Sequence, residues 1–288
     1  PFNATSPLNG MAHGNYLFYW EGRDIFQLIN DSHFTAYTEF GVPGISPREV
    51  LEKIIPPEEL FPPRPGTAWE EHHAFGAWDG SPATWLGEPT IERYFGRAQT
   101  LDQLIERSSL MQGEGYKAVF EEARRQKPYC AMALNWCFDE PWPAAANNSL
   151  VAYPSVPKPA LDQVRRACRP LCASARIAKF DWTEGELFEA EVWLLNDRFA
   201  AAGPFSFTVT LRAAGQTVEI LRWESPAAGQ NRNVAGPTAR AALPAWDTDR
   251  FRVEITVEGH PEMDACYTLA YRRAACKQAG TAPMNITE

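Results

Sequence analysis

The feature that most constrains the fold is a change of hydrophobic period near Pro170. After it, apolar and polar side chains alternate, as in RFRVEITVEG at 250–259, which is typical of strands with one buried face. About seven such strands predict an immunoglobulin-like β-sandwich over residues 171–276, followed by a tail at 277–288. The alternating segments are 176–182, 186–197, 205–213, 216–225, 238–243, 250–259 and 266–274.

Before Pro170 the chain begins with a different pattern. FTAYTEF at 34–40 predicts a strand, because it is rich in aromatic and β-branched residues. SPREVLEKI at 46–54 predicts a helix with Ser46 as its N-cap and a proline at the first position. Apolar residues at helical spacing then predict a long helix over 100–127.

Two further segments complete this first region. YCAMALNWCF at 129–138 is continuously apolar, which predicts a strand buried on both faces, as in a parallel sheet. PKPALDQVRRACRP at 157–170 predicts another helix. The succession of strand, helix, buried strand and helix is typical of an α/β domain, here expected over residues 1–170.

Charge and hydropathy exclude several classes of partner. The net charge of -9 argues against nucleic acid, since phosphate binding needs clustered Lys and Arg. The clusters Arg124–Arg125–Lys127 and Arg165–Arg166–Arg169 lie at predicted helix ends, where cations complement the helix dipole. No apolar run is long enough to span a membrane, and no secretion leader is recognised. Because the chain starts at Pro1 and not at Met, we expect it to be either processed or a fragment whose natural start lies elsewhere.

The six cysteines do not follow the spacing of a zinc site. We expect most of them to be small core residues of a reduced protein, and no bound metal. They are Cys130, Cys137, Cys168, Cys172, Cys266 and Cys276.

A carboxylate and an aromatic cluster follow two of the predicted strands. Glu39 ends the first strand, and NWCFDEPWP at 135–143 ends the next. In a (β/α)₈ barrel such positions face the active site. A carboxylate can attack an anomeric carbon while an indole stacks on the sugar, so the pattern favours carbohydrate chemistry. The alternative is that Glu39 caps a helix or forms an ion pair and that the tryptophans pack in the core.

The adjacent His72 and His73 in WEEHHAFGAW are a weaker signal. Neighbouring side chains point in different directions and the HExxH spacing is absent, so a metal site is not expected. An anchor for the loop, or a contact to substrate, fits better.

Three blocks of the sequence resemble glycoside hydrolase family 2, in its β-mannosidase and exo-β-glucosaminidase branch. AYTEFGVPGISP at 36–47 resembles the nucleophile segment that ends barrel strand seven. The block 130–170, from CAMALNW to RACRP, resembles the strand-eight region, and GNYLFYW at 14–20 is similar to the segment before the nucleophile. The sandwich with VWLLND at 192–197 resembles the family's C-terminal immunoglobulin-like domain.

The resemblance implies a fold, a reaction and roles for individual residues. The fold would be the C-terminal part of a TIM (β/α)₈ barrel followed by an immunoglobulin-like β-sandwich. The reaction would be retaining hydrolysis of a β-mannoside or β-glucosaminide, with no metal and no organic cofactor. Glu39 would be the nucleophile. The implied substrate-binding residues are Trp136 as a wall of the −1 subsite, Tyr19, Trp20, Asn135, Glu140 and Trp142, while Asp139 and Glu140 stand where the family has structural or hydroxyl-binding groups.

One expected element is missing from the sequence. Family members carry an acid/base carboxylate, preceded by Asn, at the end of barrel strand four. Only 38 residues precede Glu39, and Asn30–Asp31 is too close to the nucleophile strand to fit. We therefore expect the chain to be the C-terminal part of a longer hydrolase, to need the missing N-terminal part as its partner, and to be inactive alone.

Other functions remain open at this stage. The sandwich could be a carbohydrate-binding module, which would require coplanar exposed aromatics among Trp182, Trp193, Trp223 and Trp246. It could instead be purely structural and support the barrel. A different retaining hydrolase with a similar barrel is a third possibility, against which the strand-eight block argues.

Overall fold

The computed structural model describes residues 10–14, 16–76 and 85–274. Its first part contains short strands and six helices. In chain order these are β1 Met11–His13, β2 Tyr19–Trp20, β3 Arg23–Asp24, α1 Ile25–Asn30, β4 Ala36–Phe40, β5 Gly44–Ile45, α2 Arg48–Ile54, α3 Ala68–Glu71, α4 Glu88–Phe95, α5 Leu101–Arg125, β6 Ala133–Asn135, β7 Ala146–Asn147, β8 Val151–Ala152, β9 Val156–Pro157 and α6 Pro159–Ala167.

A three-stranded parallel sheet organises this part, in the order β1-β4-β6. Helix α1 connects β1 to β4 and helix α5 connects β4 to β6, as parallel neighbours require. Thr100 caps α5 by accepting a hydrogen bond from the Gln103 N–H, and Arg124 and Arg125 occupy its last turn. These end groups complement the helix dipole, so the predicted long helix is confirmed.

Two expectations for this part were wrong. The apolar run at 129–138 forms only the short strand β6, and its Leu134 is 50% exposed. The reason is that β6 is an edge strand of the sheet in the described chain, so no neighbour covers it. Helix α2 starts at Arg48, and Pro47 is its N-cap. Ser46 does not cap it, because its hydroxyl donates to the Ala144 carbonyl.

The second part consists of two antiparallel-rich sheets. One has the order β10-β12-β15 and the other β11-β17-β16-β13-β14. The strands are β10 Leu171–Ile177, β11 Asp181–Thr183, β12 Leu187–Asn196, β13 Phe205–Ala213, β14 Gln216–Ser225, β15 Val234–Ala242, β16 Arg250–Val257 and β17 Ala265–Arg272, with a 3₁₀ helix at Pro261–Met263.

In β12, β13 and β16 the alternation read from the sequence is the alternation of burial. In β16, Phe251, Val253, Ile255 and Val257 are all buried. The single strand expected at 176–182 was wrong, because β10 and β11 are separate strands in different sheets. The chain leaves one sheet and enters the other across residues 178–180, where Phe180 is completely buried.

Helix α5 also forms the junction with the sheets of the second part. Glu121 Oε2 accepts hydrogen bonds from Ser174 Oγ and Tyr267 Oη, both over 2.6 Å. Arg125 Nε contacts Glu122 Oε2 at 2.7 Å, and both side chains are almost completely buried. Charged side chains that are almost completely buried are tolerated only when they are paired. The paired charges therefore indicate a specific interface between α5 and the sheets.

The structure bears on several exclusions made from sequence. Among the described residues no helix is long and apolar enough to cross a membrane. In the same residues no group of three or more His, Cys, Asp and Glu side chains is placed to hold a metal ion. The five described cysteines are free thiols, and Cys130 and Cys172 are buried; Cys276 and the predicted tail lie outside the described residues.

Candidate functional site

The site is built at the C-terminal ends of β4 and β6. Glu39 is the penultimate residue of β4, and its side chain is 30% exposed. Phe40 and Asn135 are register partners, and the Trp136 N–H donates to the Phe40 carbonyl over 2.8 Å. Since parallel strands end at the same edge of a sheet, Glu39 and Trp136 lie at neighbouring positions of that edge.

Tyr16 connects the carboxylate to the indole. Its hydroxyl donates to Glu39 Oε1 over 2.8 Å, and its ring packs edge-on against Trp136 with centroids 5.8 Å apart. Burial, and then the Glu39 carboxylate, raise the pKa of Tyr16, so the phenol keeps its proton and acts as a donor. His13 completes the group, with Nδ1 3.7 Å from Glu39 Oε2.

Further aromatic rings extend the wall formed by Trp136. Trp85 is buried, and its ring centroid lies 6.1 Å from that of Trp136. The ring centroid of His73 lies 6.0 Å from that of Trp85 and 6.3 Å from that of Trp142. His72 acts as an anchor, because its Nδ1 donates to the Pro143 carbonyl over 2.9 Å. The two histidines therefore follow α3 and contact the loop that carries Trp142.

The residues predicted around the carboxylate are only partly brought together. Trp136 and Trp142 are 40% and 43% exposed, so part of each ring is open to a ligand. The Asn135 amide nitrogen donates to the Cys137 carbonyl, which fixes the turn after β6. Tyr19 points elsewhere, because Arg93 lies over its ring at 4.1 Å.

Trp20 lies beside the site and is 49% exposed. It lines a cavity of about 610 Å³ together with His13 and Tyr16. The other walls of this cavity come from apolar residues of β1, β4, α1 and α5. The cavity is thus continuous with the site through Tyr16 and His13, and its chemistry is mostly hydrophobic.

Glu140 has a different environment from the one expected of a sugar ligand. Its side chain is completely buried, and Oε1 lies 2.9 Å from Lys158 Nζ. Oε1 also accepts from the Ser149 hydroxyl, and Oε2 accepts from the Tyr153 N–H over 3.2 Å. Burial lowers the pKa of Lys158, and the Glu140 carboxylate opposes that shift. Both oxygens of Glu140 are therefore used inside the protein.

Sequence reasoning missed three members of the site: Tyr16, His13 and Lys158. Tyr16 lies in the segment GNYLFYW, in which the resemblance implies Tyr19 and Trp20 as substrate contacts. No local signal separates these aromatics, because the choice depends on β1 pairing with β4. Lys158 was visible only as part of the Lys-Pro-Ala pattern before α6.

The aromatics proposed for a separate sugar-binding module do not form an exposed face. Trp182 and Trp246 are 3% and 1% exposed and belong to the sandwich core. Trp223 packs against Phe207, with ring centroids 4.8 Å apart. At Glu39, by contrast, a carboxylate accepts a hydrogen bond from a phenol beside a partly exposed indole.

Comparison with known proteins gives a likeness at the level of fold. No protein-family model and no curated protein sequence matches the chain. The structure is similar to that of a β-D-mannosidase from Dictyoglomus thermophilum, with a TM-score of 0.64, 19% identity, and coverage of 91% of this chain and 30% of that one. It is also similar to the exo-chitosanase CsxA of Amycolatopsis orientalis in complex with PNP-β-D-glucosamine, with a TM-score of 0.61, 15% identity, and coverage of 81% and 27%. The chain thus spans less than a third of the length of these two glycoside hydrolases.

Proposed function

We propose that this chain is the nucleophile-bearing part of a retaining β-glycoside hydrolase of family 2. The observation that carries the proposal is the set Glu39, Tyr16 and Trp136 at the C-terminal edge of a parallel sheet. Residues 1–170 would then be part of a (β/α)₈ barrel. Residues 171–276 would be an immunoglobulin-like sandwich with a structural role, which is supported by its buried junction with α5.

In the proposed reaction Glu39 attacks the anomeric carbon of a β-glycoside. The bond from C1 to the leaving oxygen breaks, and a second carboxylate about 5 Å away gives that oxygen a proton. The same carboxylate then takes a proton from water, which attacks C1 and releases Glu39 with retention of configuration. Tyr16 orients Glu39 through its hydrogen bond, and Trp136 stacks on the apolar face of the sugar and excludes water.

The second carboxylate is not assigned to any residue of this chain. We infer that it comes from a segment that contains the other barrel strands, because the compared hydrolases are about three times as long. General acid catalysis contributes about 10²–10⁴-fold. The 288 residues alone should therefore hydrolyse unactivated β-mannosides and β-glucosaminides negligibly. Clear turnover by the pure chain would contradict this.

The nucleophile can be tested without the missing acid. A 2,4-dinitrophenolate leaves without protonation, and a 2-fluoro sugar slows hydrolysis of the glycosyl-enzyme. Incubation with 2,4-dinitrophenyl 2-deoxy-2-fluoro-β-mannoside or -β-glucoside should therefore add one glycosyl group to the peptide that contains Glu39, which mass spectrometry detects.

Two variants make this experiment specific. Glu39→Gln should abolish labelling, whereas Glu49→Gln, on an exposed position of α2, should leave it unchanged. Labelling of a different residue, or no labelling of the folded wild-type chain by either sugar, would contradict the proposed function.

A further inference from the structure

The buried ion pair of Glu140 and Lys158 is bonded to completion. Lys158 Nζ has three protons and three acceptors within reach: Glu140 Oε1 at 2.9 Å, the Gly44 carbonyl at 3.1 Å and the Asn147 carbonyl at 3.3 Å. Glu140 in turn accepts from Ser149 and Tyr153. Neither side chain is exposed at all.

These bonds join three separate segments around the site. Glu140 lies between Trp136 and Trp142 in the chain. Gly44 belongs to β5, which follows the strand of Glu39 and pairs with β7 at Asn147. Lys158 comes immediately before α6. One ammonium group therefore connects the segment of the aromatic wall to the segment of the carboxylate.

A neighbouring side chain supports the same connection. Gln112, on α5, donates to the carbonyls of Val42 and Ser149, each over 3.1 Å. It thus also links the two segments, but from a helix that is itself fixed in the core. The junction pair of Arg125 and Glu122 has comparable burial and lies at the sandwich. Burial therefore does not distinguish the Glu140–Lys158 pair from the Arg125–Glu122 pair. The distinguishing feature is that Lys158 also bonds the carbonyls of Gly44 and Asn147.

We propose that Glu140 and Lys158 are positioning residues, which hold Trp136 and Trp142 at the distance from Glu39 that a sugar ring requires. This inference rests on the proposed function. It assigns Glu140 to the support of the wall and not to a sugar hydroxyl. A displaced indole stacks less well on a sugar ring, so a fully bonded pair that fixes the wall should strengthen ligand binding.

The first test observes the wall itself. The full chain is labelled with 5-fluorotryptophan, and the ¹⁹F resonances of Trp136 and Trp142 are assigned with Trp136→Phe and Trp142→Phe. Lys158→Met should shift or broaden these two resonances and leave those of Trp223 and Trp246 in the sandwich unchanged. Arg125→Met, the matched variant at the junction, should destabilise the chain without moving Trp136 and Trp142.

The second test separates binding from chemistry in the labelling of Glu39. Lys158→Met should raise the inhibitor concentration for half-maximal labelling rate by about 10-fold to 100-fold. The maximal labelling rate should change by less than about 3-fold, because Glu39 keeps its bond to Tyr16. Arg125→Met should change neither quantity at a temperature where both variants are folded.

A double variant distinguishes positioning from stability. Replacing a buried ion pair by apolar residues often restores stability, so Lys158→Met with Glu140→Leu should melt near the wild type. We expect its fluorine resonances and the inhibitor concentration for half-maximal labelling to stay altered. The Gly44 and Asn147 carbonyls then lose their bond to Lys158, and the Tyr153 N–H loses its bond to Glu140. Their return to wild-type values together with stability would overturn the proposal.

The two readouts also separate this inference from the proposed function. A folded wild-type chain that is not labelled contradicts the proposed function. The fluorine resonances would then decide alone whether the pair positions Trp136 and Trp142. Unchanged resonances in Lys158→Met would overturn the inference whatever the labelling shows.

Discussion

At the scale of single residues, Glu39 is defined by the groups that touch it. A carboxylate at the end of an apolar strand loses hydration, and the structure compensates with one short hydrogen bond from Tyr16 and partial exposure to solvent. The same tyrosine ring contacts Trp136. One side chain thus sets both the orientation of the carboxylate and its distance from the indole.

The Tyr16 hydroxyl gives the first prediction at this scale. Tyr16→Phe keeps the ring contact to Trp136 and removes the donor to Glu39. A hydrogen bond to a charged group contributes about 1.5–3 kcal/mol, so the maximal rate of Glu39 labelling should fall by about 10-fold to 100-fold. The concentration for half-maximal labelling should change little, as measured by time-resolved mass spectrometry. An equal loss in Tyr19→Phe, whose ring lies under Arg93, would contradict the assignment.

Glu114 gives a pH-dependent prediction. Burial raises the pKa of Glu114 to about 7, with Lys117 opposing the shift, and Oε1 accepts from the Thr268 N–H over 2.8 Å. The unfolded value is about 4.3. Between these values the folded chain binds more protons, so the free energy of unfolding should fall as pH rises toward 7 and stay low above it.

Substitution of Glu114 isolates this effect. Each unit of pKa shift corresponds to about 1.4 kcal/mol, so raising the pH should lower the free energy of unfolding by a few kcal/mol. The free energy of unfolding of Glu114→Gln should therefore be higher relative to wild type at pH 8.5 than at pH 4.5. Denaturant titrations at both pH values measure this difference. Parallel stability profiles of the two proteins would show that Glu114 does not titrate in this way.

At the scale of elements, helix α5 fixes the segment that follows the Glu39 strand. Gln112 lies so close to Gly44 that a Cβ built on the glycine would be 2.1 Å from Gln112 Oε1. Gly44 is needed for this close approach and not for an unusual backbone angle. Beside it, Lys158 bonds the Gly44 carbonyl, so helix, strand and ion pair converge on one residue.

Gly44→Ala should therefore be destabilising. Overpacking of a filled core typically costs about 1–3 kcal/mol, and here the added methyl group displaces Gln112 from its carbonyl partners. The midpoint of urea unfolding measures the loss. Gly229→Ala is the matched control, because the atoms nearest to its added Cβ lie at 3.6 Å or beyond, and it should be close to neutral.

At the scale of the whole molecule, apolar surface remains open at the end of the sheet. In the described chain β6 is an edge strand, and Leu134, Met132 and Phe138 near it are between 38% and 58% exposed. Unpaired strand edges with apolar side chains favour association. The junction between α5 and the second region is not open in this way, because paired charges are buried there.

This surface predicts self-association of the pure chain. Light scattering after size exclusion should give a mass above that of one chain, and the mass should rise with concentration. Leu134→Lys should shift the chain toward the monomer, since a charged edge disfavours pairing. Leu187→Lys, at an equally exposed position of the sandwich, should leave association unchanged. A monomer at all concentrations would contradict the prediction.

The sequence alone determined the period of each region and the residue type at the end of β4. Alternation located β12, β13, β16 and β17, because each of these strands buries one face. Glu39 was found as a charge where an apolar strand ends. The resemblance based on three sequence blocks is supported at the level of fold by the two hydrolase structures.

Only the tertiary structure decided which side chains meet at Glu39. Tyr16 is separated from it by 23 residues and reaches it because β1 and β4 pair in parallel. Glu140 and Lys158 find each other only through the packing of β5, β7 and α6. The exposure of the run at 129–138 likewise depends on which strands lie beside it. The local hydrophobic pattern predicts which face of a segment is buried. Contacts between distant segments depend on strand register, which a local pattern does not specify.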